Sequence, residues 1–168
     1  MTVKVKDVNR TKNLVNELNK IMNRRIKIGI FSESGSDVLI IASVNEFGVS
    51  IKVTEKMRRY LHANGLHLRN STNNIKIPER AFIRRGYDRR KANILKFAES
   101  RIIDVYNFRI SGEQYLNGLG EYVTGQIRDF LTRMRTPPNH PYTIEKKGSS
   151  NPLINTGRLR ESITFKIE

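Results

Sequence analysis

The side chains that could act as catalytic acids, catalytic bases or metal ligands are few in this chain. Among its 168 residues there are 3 histidines, His62, His67 and His140, and no cysteine. The lack of cysteine excludes disulfides, thiol nucleophiles and zinc sites of the cysteine type. Two histidines five positions apart do not share a helix face, and no carboxylate cluster accompanies them. The sequence therefore predicts no metal site.

Acid-base catalysis needs paired carboxylates, or a histidine beside a carboxylate, in one cleft. The acidic residues of this chain stand singly along the sequence. One enzymatic alternative remains open, a small hydrolase that uses His62 or His67 with Glu79. The segment 32–37 has one glycine and no following lysine, so it is not a phosphate-binding loop. The sequence favours a non-enzymatic protein without a cofactor or a small-molecule substrate.

The strongest signal in the composition is a formal net charge of +15 at pH 7. Residues 51–100 hold 13 of the 31 basic side chains and 4 of the 16 acidic ones. Such a concentration indicates phosphate or an acidic protein as partner, because a surface of one sign repels itself. Arginines and aromatic residues also alternate there, as they do on nucleic-acid-binding surfaces. The candidate contacts with DNA or an acidic surface are Arg58, Arg59, Arg84, Arg85, Arg89 and Arg90.

No helix-turn-helix, RNA-recognition strand or zinc-finger pattern surrounds these arginines. Any contact with DNA is therefore predicted to be electrostatic and independent of base sequence. A basic surface that is simply solvated is the other interpretation of the charge. The longest apolar run, residues 38–44, is too short to cross a membrane, and residues 1–10 lack the apolar core of a signal peptide. We expect a protein that is made and kept in the cytoplasm, with no membrane contact.

Helices and short strands must position these side chains. Apolar residues three and four positions apart predict five helices, at 7–24 with Asp7 as N-cap, 38–47, 55–64, 88–106 and 111–135. Alternation of apolar and polar residues predicts strands, at 26–30, 49–54 and 163–167. Short helical turns are expected at 143–147 and 157–162.

Further features refine this arrangement. Ser111 and Gln114 have the spacing of a capping box, and Gly118, Gly120 and Gly125 predict close approach of another backbone or a bend in the last long helix. Residues 66–77 alternate around an Asn/Ser/Thr turn, which predicts a hairpin or an extended arm. The predicted fold class is α+β, with a small, mostly antiparallel sheet covered by two or three helices. One domain spans 1–168, with a hairpin or arm insertion at about 55–80 and a loop-rich C-terminal segment at 136–168.

Three stretches of this chain are distinctive: VNEFG at 44–48, IPERAFIR at 77–84 and PPNHPYTIEKKGSSNPLINTGRLRESITF at 137–165. Together they resemble the tail-completion, or virion-morphogenesis, proteins of tailed bacteriophages. The motifs stand in the order found in that family, and the resemblance covers about residues 38–166. The segment 57–78 also resembles an insertion found in some members. The chain departs from the family pattern at Glu79, Ala81 and the pair Asn139-His140.

The resemblance implies a structural virion protein that completes the tail or neck and joins it to the head. It implies a ring of six or twelve copies that contacts other head-tail connector, tail terminator or tail tube proteins. The protein would be assembled in the host cytoplasm and remain in the virion, at the head-tail junction or the head-proximal end of the tail. The alternative function is a sequence-nonspecific DNA-binding module that uses the basic middle third.

The resemblance also places a tight corner at 45–48, with Phe47 as an apolar plug, and an extended apolar arm at 77–84 that docks across subunits. The basic residues would face either DNA in the ring lumen or acidic residues of neighbouring rings. The predicted subunit or partner contacts are Phe47, Ile77, Pro78, Phe82, Arg84, Leu153, Ile154, Arg158 and Leu159.

Overall fold

The computed structural model describes residues 9–168, so the predicted helix start at Asp7 lies outside the described part of the chain. Over those residues the chain has the predicted α+β fold, with seven α-helices, four short strands and one 3-10 turn at Ser32–Ser34. In chain order the helices and strands are α1 (Thr11–Met22), β1 (Ile26–Gly29), α2 (Ser36–Phe47), β2 (Val49–Lys52), α3 (Glu55–Ala63), β3 (Asn74–Ile77), α4 (Phe82–Tyr106), α5 (Gly112–Arg133), α6 (Pro141–Lys147), α7 (Arg158–Glu161) and β4 (Thr164–Ile167).

The two longest helices, α4 and α5, pack side by side in opposite directions and form the centre of the fold. The predicted capping box begins α5: Ser111 Oγ accepts from Gln114 N at 3.2 Å, and Gln114 Oε1 accepts from Ser111 N at 2.9 Å. Across the interface Phe97 and Tyr122 stack with ring centroids 4.0 Å apart. The most deeply buried side chains of the core are Phe82, Val105, Ile127, Leu131 and Ile163.

The strands β1 and β4 pair antiparallel, with Ile28 opposite Phe165, and this sheet packs on α5. A Cβ at Gly120 of α5 would overlap the Phe165 ring. The predicted close approach of another backbone is not observed at these three glycines, because Gly120 faces the Phe165 ring and Gly118 and Gly125 face open space. No side chain larger than hydrogen fits where β4 crosses α5.

The other two strands, β2 and β3, form a separate antiparallel sheet in which Val49 is opposite Ile77. Helix α3 lies between them in sequence, so the predicted local hairpin within residues 66–77 is wrong. That segment is tied to α3 instead, because the Arg58 guanidinium donates to the carbonyls of Leu68, Arg69 and Thr72 at 3.4, 3.0 and 2.8 Å. The predicted arm is therefore a unit of two paired strands with α3 between them.

Helix α4 begins at Phe82, six residues before the predicted start. The predicted extended arm at 77–84 is consequently wrong beyond Ile77, where β3 ends. Ala81 adopts a left-handed backbone with φ 46 immediately before the helix, and the Phe82 side chain is fully buried. The carboxylate of Glu46, which caps α4 from another helix, explains the early start.

Candidate functional site

Three segments that are distant in sequence meet around two buried charged side chains, Glu46 and Arg80. Glu46 is 5% exposed and Arg80 is 2% exposed. The segments are residues 44–48, 77–84 and 137–152, which fall within the three stretches that carry the family resemblance. We call this meeting point the polar junction.

Glu46 belongs to α2 and caps the first turn of α4. Its carboxylate accepts from the backbone N–H groups of Ile83 and Arg84 at 2.9 and 3.1 Å. It also accepts from Arg84 Nε at 3.1 Å. A carboxylate suits this position because the first N–H groups of a helix lack intrahelical partners and carry partial positive charge. The guanidinium of Arg84 also pairs with Glu79 at 2.8 Å, and these bonds raise the pKa of Arg84.

Arg80 connects the same corner to the segment after α5. Four of its five N–H groups have acceptors: Nη1 donates to Asn45 Oδ1 at 2.7 Å, and Nε donates to the Pro137 carbonyl at 3.2 Å. Nη2 donates to the Pro138 carbonyl at 3.5 Å and to Asn139 Oδ1 at 2.8 Å. All four acceptors are neutral, and burial lowers the pKa of Arg80.

Two asparagines extend the junction toward the core. Asn139 Nδ2 donates to the Pro152 carbonyl at 3.2 Å. Asn151, itself buried, donates to the Thr132 carbonyl at the end of α5 at 2.8 Å. Its Oδ1 accepts from the backbone N–H of Leu153 at 2.9 Å. The loop-rich C-terminal segment is therefore fixed to the body by side-chain amides.

Gly48 makes the sharp turn out of α2, with φ +71. A Cβ there would lie 2.8 Å from Glu79 N, so the corner at 45–48 is as tight as predicted. The prediction that Phe47 plugs this corner is wrong, because its side chain is 65% exposed. The Arg84 guanidinium lies 5.0 Å from the centre of its ring, in cation-π geometry.

An open groove of about 550 Å³ runs beside the polar junction. Its aliphatic lining is formed by Ile40, Ile41 and Val44 of α2 and by Ile51, Ile75 and Ile77 of the β2–β3 sheet. Arg80, Lys147, Pro138 and Pro152 also line it. We call this feature the isoleucine groove.

Helix α2 is apolar on more sides than the fold covers. Val38, Ala42 and Glu46, four positions apart, form its buried stripe. Away from that stripe Ile40, Ile41 and Phe47 are 64%, 48% and 65% exposed, and Ile40 and Phe47, seven positions apart, lie on the same face of the helix. Patches of this kind mark surfaces that other proteins cover.

The predicted basic residues fall into two groups. Arg58, Arg84 and Arg90 are engaged: Arg58 with backbone carbonyls, Arg84 with Glu46 and Glu79, and Arg90 with Asp129 at 2.6 Å. Arg59, Arg85 and Arg89 are exposed and form no ion pair within residues 9–168. Only this second group is free for an external anion.

A basic cleft of about 400 Å³ lies where the start of α4 meets the end of α5. Arg89, Arg90 and Arg133 line it together with Phe130 and Met134. The carboxylate of Asp129 is shared, at 2.6 Å from Arg90 and 2.8 Å from Arg133. Three guanidinium groups around one carboxylate leave the cleft electropositive.

The residues of the hydrolase alternative do not form a catalytic pair. His62 Nδ1 and His67 Nδ1 are 2.7 Å apart and hydrogen-bond to each other, while the Glu79 carboxylate pairs with Arg84. Among the described residues, no three histidine or acidic side chains are grouped as metal ligands. The same residues include no helix that is long and apolar enough to span a membrane.

Several predicted contact residues belong to the protomer's own core. Phe82, Leu153 and Leu159 are 0%, 6% and 8% exposed, so their side chains are packing residues and the prediction that they contact a partner is wrong. Ile77, Pro78 and Ile154 are half-buried. The guanidinium of Arg158 pairs with Asp37 at 2.9 Å and holds the pKa of that carboxyl below its ordinary value.

The sequence reasoning missed Lys147, whose Nζ donates to the carbonyls of Asn151 and Pro152 at 3.0 and 3.3 Å. Glu46 also stands singly in the sequence, like the other acidic residues. The signal for Glu46 was its place in an otherwise apolar helix, because an acidic residue on the buried stripe must have a partner. For Lys147 no signal in the sequence separates it from its neighbour Lys146.

Comparison of the chain with protein-family models, with curated proteins and with solved structures found no match.

Proposed function

We propose that this protein is a non-enzymatic structural component of a phage virion, which completes the tail or neck, joins it to the head and acts as a ring oligomer. The observation that carries the proposal is the apolar surface of α2 that the fold leaves exposed, at Ile40, Ile41 and Phe47. A helix that is apolar on most sides is normally covered on most sides. In a ring, a second subunit covers the part of this surface formed by Phe47.

The polar junction supports the same role. Buried hydrogen bonds from Glu46 and Arg80 fix α2, the start of α4 and the segment after α5 against one another. An assembly surface needs such rigidity, because a surface that is ordered in advance loses less conformational entropy on binding. The junction also brings together parts of the three stretches that resemble tail-completion proteins, which supports a shared structural role for them.

The ring is tested by light scattering coupled to size exclusion, together with negative-stain imaging. We expect particles of six or twelve copies for the parent chain and dissociation for Phe47→Ser. Tyr106→Ser is the matched control, since Tyr106 is 64% exposed on α4 and Phe47 is 65% exposed. A parent chain that stays monomeric at all concentrations, or equal dissociation of both variants, contradicts the proposed ring.

The head-tail role is tested separately in a phage that encodes this chain. Deletion should leave complete heads and separate tails that do not join, and supplying the chain from a plasmid should restore joined particles. The Phe47→Ser variant should fail to restore them, whereas Tyr106→Ser should succeed. Normal joined particles without the protein would contradict the role.

A second candidate function, sequence-nonspecific binding of DNA, is favoured by the basic cleft. Arg89 and Arg85 are exposed on α4 beside the cleft, and they can neutralise phosphates without competition from a bound carboxylate. If the protein forms a ring, this contact with DNA would occur in the ring lumen. If it does not, the contact would make the protein a DNA-binding module.

Titration of a fluorescent duplex at several salt concentrations tests this candidate. We expect the double variant Arg85→Ser/Arg89→Ser to reduce the slope of log K against log salt by about 1.8, since each neutralised phosphate contributes about 0.9. The control Arg24→Ser/Arg25→Ser removes two exposed arginines elsewhere. Equal slopes for the two double variants, or no binding of the parent chain at low salt, would eliminate the candidate.

A further inference from the structure

Two cationic side chains in the isoleucine groove have no carboxylate partner within residues 9–168. Arg80 is almost completely buried and Lys147 is half-buried, and both contribute to the lining of the groove. Every hydrogen-bond acceptor of the two groups is a backbone carbonyl or an amide oxygen. Buried cations are normally paired with anions, so this arrangement is unusual.

The two cations also act on each other. Burial lowers the pKa of Lys147, and the nearby charge of Arg80 lowers it further. Each group keeps an unused donor: four of the five N–H groups of Arg80 and two of the three of Lys147 have acceptors. A negative group placed in the groove would accept these remaining hydrogens and remove the repulsion.

The walls of the groove define what must accompany that negative group. Six aliphatic side chains from α2 and the β2–β3 sheet line it, and Ile40 and Ile41 are largely exposed. No Phe, Tyr or Trp is among the lining residues and His140 supplies the one aromatic ring there, so the lining offers mainly aliphatic contacts rather than a stacking platform for bases. The ligand must combine a carboxylate with apolar groups on both sides of it.

The β2–β3 sheet indicates that this ligand is a polypeptide. It has only two strands in the described part of the chain, so each strand has one unpaired edge. An extended peptide can add to such an edge through backbone hydrogen bonds while alternate side chains enter pockets. A second copy of this chain is a poor source, because a protein of net charge +15 is better complemented by an acidic partner.

We propose that the isoleucine groove binds an extended segment of a different protein, in which an acidic side chain flanked by apolar residues reaches Arg80 and Lys147. The flanking apolar residues stand two positions before and after the acidic one, since those side chains point to the same face of a strand. This inference rests on the proposed function in taking the partner to be another assembly protein.

The test uses end-blocked heptapeptides, with the central residue fixed as Glu, Asp, Gln or Lys and the other six positions randomised. The pools are bound to the immobilised full chain, and the retained peptides are sequenced. We expect the Glu and Asp pools to be retained at least about tenfold more than the Gln pool, as a charge-assisted bond requires. Ile, Val or Leu should be enriched two positions either side of the centre.

The affinity of one retained Glu peptide is then measured with three variants. Lys147→Met should weaken binding about tenfold and Lys147→Arg should retain it. Lys146→Met, the matched control, should change it less than about twofold, because Lys146 is exposed, does not line the groove and lies near the Tyr142 ring. Circular dichroism confirms that each variant is folded.

Equal retention of the Glu and Gln pools, or equal losses from Lys147→Met and Lys146→Met, would overturn the inference. The inference would also be overturned if duplex DNA displaced the peptide from the parent chain but not from the Lys147→Met variant, because phosphate would then be the ligand. If the protein forms rings but retains no acidic peptides, the groove inference alone is refuted. If it retains acidic peptides but stays monomeric, the proposed ring alone is refuted.

Discussion

Removal of the Glu46 carboxylate is the most direct test of how the polar junction is built. Replacing Glu46 by alanine removes the acceptor of two backbone N–H groups, at Ile83 and Arg84, and of Arg84 Nε. An orphaned buried donor costs about 1–3 kcal/mol. The Arg84 side chain is 52% exposed and can be hydrated instead, so its share is small.

We therefore expect Glu46→Ala to lower the free energy of unfolding by about 3 kcal/mol, mostly through the two backbone donors. For a chain of this length the melting temperature should fall by about 6–12 °C. Glu46→Gln should cost about half as much, because the amide oxygen still accepts one bond but carries no charge to oppose the helix dipole. Urea unfolding followed by circular dichroism gives these differences.

Glu79→Ala is the matched control for this prediction. Glu79 also pairs with Arg84, at 2.8 Å, but its side chain is 53% exposed, so its loss should cost less than about 1 kcal/mol. A Glu46→Ala variant no less stable than Glu79→Ala would refute the assignment of Glu46 as the cap of α4. A comparable loss for Glu46→Gln and Glu46→Ala would assign the effect to charge rather than to hydrogen bonding.

Two further predictions concern α5. Gly120→Ala should destabilise the protein by about 2 kcal/mol, because the new methyl group overlaps the Phe165 ring. Gly118 faces open space, so Gly118→Ala should stabilise the protein by up to about 1 kcal/mol. Thermal unfolding that ranks the two variants in the opposite order would contradict this packing. Glu17 accepts from Lys20 and from Gly112 N, each at 2.7 Å, and these bonds lower its pKa from 4.5, with Lys20 contributing most. The contribution of the ionised Glu17 carboxylate to stability is present above pH 4.5 and is lost as the pH falls through the lowered pKa. The variant Glu17→Gln should therefore show a weaker dependence of melting temperature on pH in that acid range. An unchanged slope would contradict this prediction.

Local signals in the sequence predicted most of the regular structure. The capping box at Ser111, the strands that begin at Ile26 and Val49, and the helix that ends before Gly48 follow from residues within a few positions of each boundary. Such boundaries depend on short-range geometry and need no partner from elsewhere in the chain. The α+β class follows from these elements together.

The features that were missed depend on distant partners. The start of α4 is set by Glu46, 37 positions before Ile83, and β3 pairs across a helix with β2. Pro78 correctly predicts extended geometry before it, but no local pattern indicates that a helix begins four residues later.

The candidate site shows the same division. Arginines that stand together in the sequence have different surroundings, since Arg90 meets Asp129 from 39 positions away while Arg89 remains exposed. The sequence likewise does not show whether an apolar residue within a motif is buried or exposed, since Phe82 is buried and Phe47 is exposed. The resemblance singled out the three segments, but only the three-dimensional arrangement shows that they meet and separates a packing residue from a surface residue.

The pairing of β1 with β4 has a consequence for folding kinetics. Ile28 and Phe165 are opposite one another, so this sheet closes a loop of more than a hundred residues. Loop closure on that scale costs about 4 kcal/mol of chain entropy, which favours prior formation of the α4–α5 pair. On the ribosome, the surface of α5 around Gly120 stays uncovered until β4 has emerged. In a nascent chain this face of α5 is therefore exposed from the time α5 is made until β4 follows it, and the pairing of β4 with β1 covers it.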